Sequence, residues 1–168
     1  TITNLDYWSF LNHNENGEGL VNNTEVLLDQ SQFRKMIFSA PLVSEFDKSP
    51  VLLDFPTPLG QFIQFEIVET PVLPEKLAFK FPQIRTFTGK GVDNPNDRVS
   101  VTLNKNTVKV LMLSQIGNIY ISKNIDGIEN YLVTFDEADL IKDQTIIPAP
   151  MNCGSEDAII VNSSNEII

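Results

Sequence analysis

Apolar residues recur along this chain at two spacings, and each spacing predicts a different kind of element. Ile63, Phe65 and Ile67 alternate with Gln64, Glu66 and Val68, the period of two expected of a half-buried strand. Residues 51–55 read as a second strand, and Pro-Thr-Pro-Leu-Gly at 56–60 reads as a turn. Positions 51–69 are therefore expected to form a hairpin. Val99, Val101 and Leu103 alternate in the same way. Turn signals at Lys105-Asn106, Gly117-Asn118 and Asp126-Gly127 then separate strands expected at 108–113, 119–122 and 131–135. That rhythm is the rhythm of an antiparallel meander. Short β segments are expected at 26–28 and 84–88.

The second spacing is helical and occurs twice. Asp29 is placed as an N-cap, with Gln32 three residues on to complete a capping box. Phe33, Met36, Ile37 and Ala40 follow at helical spacing until Pro41, a stripe that reads as core contact rather than a cofactor site. Pro74 suits the first turn of a second, shorter helix. Leu77, Ala78 and Phe81 are expected to give that helix one buried side, and Pro82 closes it. The expected fold is mainly β with two short helices, either an antiparallel β-sandwich or a partly open barrel.

The organisation follows from the same pattern. Residues 1–23 are an N-terminal segment, with Trp8 and Phe10 docking on the core ahead of a mobile Asn/Gly/Glu-rich loop. Residues 24–143 are the β-rich domain, with a loop at 89–97 and a helical or turn connection at 136–142. Residues 144–168 are rich in Pro, Asn and Ser, carry one apolar patch at 158–161, and read as a linker.

Composition narrows the function classes. At 168 residues and 42% hydrophobic the chain can bury one sizeable core. Its ten prolines and eleven phenylalanines suit short strands and turns. A net charge of −10 repels phosphate backbones, so no nucleic-acid partner is expected. No apolar run approaches the roughly 18 residues of a membrane helix, so no membrane span is expected. No signal peptide is visible, and a chain opening on Thr1 is expected to be processed or cut from something longer, which leaves secretion open.

Candidate chemistry is sparse. His13 is the only histidine and Cys153 the only cysteine, too few for an intrachain disulfide or a self-contained zinc site. A Ser-His-Asp arrangement would have to use His13, which has no nucleophile motif near it. Asp93, Asn94, Asn96 and Asp97 suggest calcium at first sight. Their spacing does not match an EF-hand loop and Pro95 interrupts it, so a turn held by Asx hydrogen bonds is the expectation. Glu66, Glu69 and Asp93 are scattered carboxylates with no evident shared cleft. Tyr7, Trp8, Tyr120 and Tyr131 would be the sugar-stacking residues of an extracellular β-sandwich binding module that recognises a glycan or protein surface. Each also reads as core.

One stretch carries a resemblance. Residues 70–103, TPVLPEKLAFKFPQIRTFTGKGVDNPNDRVSVTL, resemble the N-terminal prodomain of secreted bacterial reprolysin-type zinc metalloproteases, metzincins related to the adamalysins and ADAM proteases. LDQSQFRKMIFSAPL (28–42), VLLDFPTPLGQFIQFEIVETP (51–71), GNIYISK (117–123) and NYLVTFDEADL (130–140) are similar to further family segments in the same order. The resemblance spans about residues 28–140. Lys123 departs from the family's Asp-Pro turn, and residues 106–109 depart from its Gly-Phe/Leu-His-like step. The zinc-binding H-E-x-x-H helix is absent from the chain, so the resemblance is to the prodomain and not the protease.

What the resemblance implies is a non-catalytic propeptide of a secreted or cell-surface protease. It would act as intramolecular inhibitor and folding aid by covering the active-site cleft of the catalytic metalloprotease domain of the same precursor. The domain itself would carry no cofactor or metal; the zinc would be the partner domain's. Pro150-Met151-Asn152-Cys153-Gly154 loosely resembles the adamalysin switch, Pro-Lys-Met-Cys-Gly-Val. Cys153 would then be the inhibitory zinc ligand, its thiolate displacing the water that the metal activates. The alternative is a linker cysteine with no metal role. The chain after Ile146, or the patch at 158–161, would add a strand to the protease's active-site edge, or else is ordinary surface.

Overall fold

A computed structural model describes residues 7–11, 23–45, 47–124 and 129–136. Their elements run β1 (Trp8–Phe10), β2 (Asn23–Leu28), α1 (Gln30–Ile37), β3 (Val51–Pro56), β4 (Phe62–Glu69), α2 (Glu75–Lys80), β5 (Arg85–Gly91), β6 (Arg98–Leu103), β7 (Val108–Ser114), β8 (Gly117–Lys123) and β9 (Asn130–Phe135). All nine strands join one antiparallel sheet in the order β1-β2-β9-β8-β7-β6-β5-β4-β3. The sheet curls into a nearly closed barrel, so of the two expected architectures the barrel is the one adopted. Alternate residues point inward and fill it: Phe65 and Ile67 on β4, Val99, Val101 and Leu103 on β6, and Ile119 and Ile121 on β8 are all buried.

The two sheet edges, β1 and β3, are joined by side chains. The Tyr7 hydroxyl accepts from the Asp54 backbone N–H at 2.9 Å and donates to the Asp54 carbonyl at 3.4 Å. The Phe10 and Phe62 rings meet across the same seam at 5.2 Å. Burial holds the Tyr7 phenol well above its ordinary pKa, a shift that the hydrogen bond at Asp54 only partly offsets. Beside Tyr7, the indole N–H of Trp8 is buried with no hydrogen-bond partner among the described residues.

Helix α1 crosses one end of the barrel on its way from β2 to β3. Asp29 caps it, the carboxylate accepting from the Gln32 N–H at 3.0 Å. Half of the expected capping box is formed. The Asp29 N–H, which Gln32 would have to bond, donates instead to the Tyr7 carbonyl at 2.9 Å. Phe33 and Ile37 are fully buried. The Phe33 ring lies 5.5 Å from Tyr7, 5.8 Å from Trp8 and 6.1 Å from Phe55, so it stops the barrel end against both edges of the sheet.

Two expected boundaries move. β5 runs on through Gly89 and Gly91, which the sequence placed in the loop. A Cβ at Gly89 would lie 2.6 Å from Ile67 Cδ1 and 2.9 Å from Val99 Cγ1. Glycine therefore lets the neighbouring strands close over it, and here it marks close approach rather than a turn. The turn between β7 and β8 is Gln115-Ile116, two residues before the expected Gly117-Asn118. Gly117 opens β8 at φ 129°, an angle that favours glycine, and pairs with Ser114. The signals at Asp126-Gly127 and 137–142 lie outside the described residues.

Candidate functional site

The barrel end that α1 closes also carries α2, and the two helices are built differently. α2 starts at Pro74, whose carbonyl accepts from the Leu77 and Ala78 N–H groups at 2.8 and 2.9 Å, and it ends at Phe81. It has no side-chain cap, and none of its side chains is buried. This corrects the expectation of a buried side. Leu77 is 42% exposed, Phe81 43%, and Phe79 90%. Only Ala78 of the expected stripe is half-buried. A six-residue helix held between two prolines cannot tilt far enough to bury both Phe79 and Phe81, because the two positions lie on opposite sides of a 3.6-residue turn.

Behind α2 lies a cleft of about 250 Å³, bounded by Glu69, Pro71, Val72, Leu73, Ala78, Pro82, Ile84, Arg85 and Thr86. Its polar wall is fixed. Arg85 donates to both carboxylate oxygens of Glu69, Nε at 2.7 Å and Nη2 at 2.5 Å, the two-pronged geometry that orients both groups. The guanidinium also lies 4.2 Å from the centre of the Phe38 ring, and Phe38 stacks on Phe87 at 24°. The Thr70 N–H donates to the Thr86 carbonyl at 2.9 Å and the Thr86 hydroxyl to the Thr70 carbonyl at 2.5 Å, where the segment leaves β4. The wall is thus rigid and its charges satisfied, while its apolar rim is uncovered. Val72 is 65% exposed, and Leu42, Val43 and Phe38 continue the apolar surface past Glu69.

The other candidates are dispersed. Asp97 accepts from Asn94 Nδ2 at 2.6 Å and from the Gln115 N–H at 3.2 Å, and the Asn96 N–H bonds Asn94 Oδ1 at 3.2 Å. The loop is therefore held by its own Asx bonds, as its sequence suggested. Glu66 pairs with Lys90 at 3.4 Å and Glu69 with Arg85, while Asp93 sits at the opposite end of the barrel. The three carboxylates do not share a cleft. Among the described residues no group of three or more His, Cys, Asp or Glu is placed to hold a metal, and no helix is long and apolar enough to cross a membrane. Tyr7, Trp8 and Tyr131 are buried; of the four aromatics considered for sugar stacking only Tyr120 is exposed. Cys153 and His13 lie outside the described residues.

What the site defines is a β-barrel with an uncovered apolar face at one end. No protein-family model matches the chain, and searches of curated proteins and of solved structures return no match. The sequence signal for the face was present but misread. Phe79 falls off the Leu77–Ala78–Phe81 stripe, and a helix this short leaves an off-stripe aromatic in solvent.

Proposed function

We propose that this domain is the prodomain of a secreted zinc metalloprotease, an intramolecular inhibitor and folding aid that covers the active-site cleft of a catalytic domain in the same precursor. The resemblance over residues 28–140 supports the reading through the order and spacing of its segments. The observation that carries it furthest is the uncovered apolar face of α2, in which Phe79 is 90% exposed inside the very stretch where the resemblance is densest. A domain that covers a neighbour's cleft has to keep such a surface free for that neighbour. Cys153, as zinc ligand in trans, would complete the block by taking the coordination position of the catalytic water.

The test adds the 168-residue chain to the mature peptidase encoded downstream and follows peptide hydrolysis. Saturable inhibition is the expected result, and full activity at saturating chain would end the proposal. A Cys153→Ser chain that inhibits as well as the parent would remove the thiolate device while leaving the covering role. The second reading, an extracellular binding module, draws on the same apolar face and favours a protein partner over a glycan. An open reading frame with an adhesion or sorting domain, and no peptidase, after residue 168 would favour it.

A further inference from the structure

The charge of the chain is unevenly distributed. Arg34, Lys35, Lys48, Lys76, Lys80, Arg85 and Lys105 lie at the barrel end that carries the two helices, as Lys109 and Lys123 do at the strand ends beside them. They outnumber the acids there, Asp29, Glu45, Asp47, Glu69, Glu75 and Glu129, of which Glu45 and Glu69 pair with Lys48 and Arg85. Among the described residues only Lys90 and Arg98 are cationic near the opposite end. Residues 137–168 are the reverse: Glu137, Asp139, Asp143, Glu156, Asp157 and Glu166 stand against the single base Lys142. Lys76 and Lys80 are exposed beside the uncovered apolar side chains of α2 and Val72. The surface therefore calls for an occupant that is both apolar and acidic.

We infer that the α2 face is the docking surface for an acidic, apolar segment of this same chain, residues 156–161, Glu-Asp-Ala-Ile-Ile-Val. Within residues 137–168 this is where paired carboxylates run straight into four apolar residues. Ala158 to Val161 would lie along Val72, Leu77 and Phe79, and Glu156 and Asp157 would face Lys76 and Lys80. The chain reaches. Asp136 is anchored to the Asn118 carbonyl at the far end of the barrel. The stretch from there to Glu156 can extend to roughly 66–72 Å, against about 23 Å for a seven-residue strand. A tether of this kind gives an effective concentration on the order of millimolar, so even a weak contact is populated. The contact belongs to the free chain and does not rest on the proposed function: a catalytic domain that took the α2 face would displace residues 156–161 from it.

The single cysteine makes the full chain its own reporter. A nitroxide on Cys153 stands three residues before the segment, and its relaxation effect on backbone amides is read by NMR against the reduced, diamagnetic label. The expected result is broadening at Leu77, Phe79 and Phe81 and none at Val92 and Asn96 at the other end. That broadening should be lost in an Ile159→Ser/Ile160→Ser chain and in a Phe79→Ser chain, and should weaken at high salt. Equal broadening at both ends, no broadening, or broadening that survives the Ile159→Ser/Ile160→Ser change would overturn the inference. Broadening carried by a labelled chain onto a separate, isotope-enriched chain would assign the face to a second copy and overturn it as well. Inhibition of a peptidase reads the proposed function; the nitroxide reads this chain alone, so the two can fail separately.

Discussion

Helices α1 and α2 sit at the same end of the barrel and are both short, yet one is a plug and the other a display. α1 has eight residues, a side-chain cap, and two fully buried side chains. Gln30 and Arg34 tie it to the loop between β6 and β7, through the Asn106 carbonyl at 3.3 Å and the Asn104 carbonyl. α2 has six residues, no side-chain cap and no buried side chain. The difference lies in what flanks them. α1 follows β2, next to the edge strand β1, and must cross the barrel end to reach the other edge strand β3, so its apolar stripe meets Tyr7, Trp8 and Phe55. α2 only links neighbouring strands β4 and β5, and nothing pulls it over the core. Helical spacing specifies a face; connectivity decides whether that face is covered.

The largest expected effect separates the helices directly. Phe33→Ala should cost about 3–5 kcal/mol in urea unfolding, as large-to-small changes in a packed aromatic core do. Phe79→Ala should stay within about 0.5 kcal/mol, as for an exposed side chain. Equal losses would break the distinction. Next comes the seam that gives α1 its target. Tyr7→Phe removes both hydrogen bonds between the Tyr7 hydroxyl and the Asp54 backbone and should cost about 1–3 kcal/mol.

The same phenol predicts a pH dependence. In the unfolded chain Tyr7 ionises near its ordinary value of 10.0, whereas burial keeps it protonated well above that in the fold. Its contribution to stability is therefore complete below about pH 10 and is lost as the pH rises further, by up to about 1.4 kcal/mol per pH unit. Tyr131, raised by burial too, acts in the same direction. Thermal unfolding at alkaline pH should show a shallower fall in Tyr7→Phe than in the parent. The smallest effect sharpens the contrast at the helix starts: Asp29→Ala should cost about 1 kcal/mol by removing the cap on α1, and α2 has no equivalent cap to lose.

Much of the barrel was legible because its strands alternate. The inward set on β4 and β6 follows from period two alone, as β4's place in the hairpin with β3 follows from its alternation and the turn at 56–60. The Phe33 stripe was legible because Asp29 marks where the helix begins. What local patterns could not supply was the third dimension. Gly89 looks like a loop glycine until Ile67 and Val99 are seen closing over it. The role of Tyr7 depends on Asp54, 47 residues away in the chain. The α2 face was misassigned because periodicity names an apolar side without saying whether anything stands opposite. Arg85 was hidden for a related reason, since its partners Glu69 and Phe38 come from β4 and the end of α1.

Native-state hydrogen exchange on the full chain tests the plug-and-display contrast most directly. The Phe33 and Phe38 amides, bonded to the Asp29 and Arg34 carbonyls, belong to α1; the Ala78 and Phe81 amides, bonded to Pro74 and Leu77, belong to α2. The structure predicts that the α2 amides exchange through local opening, on the order of a hundredfold or more faster than those of α1, which should open only with the barrel. Equal protection of the two sets would mean that α2 is packed as firmly as α1, and would contradict the account.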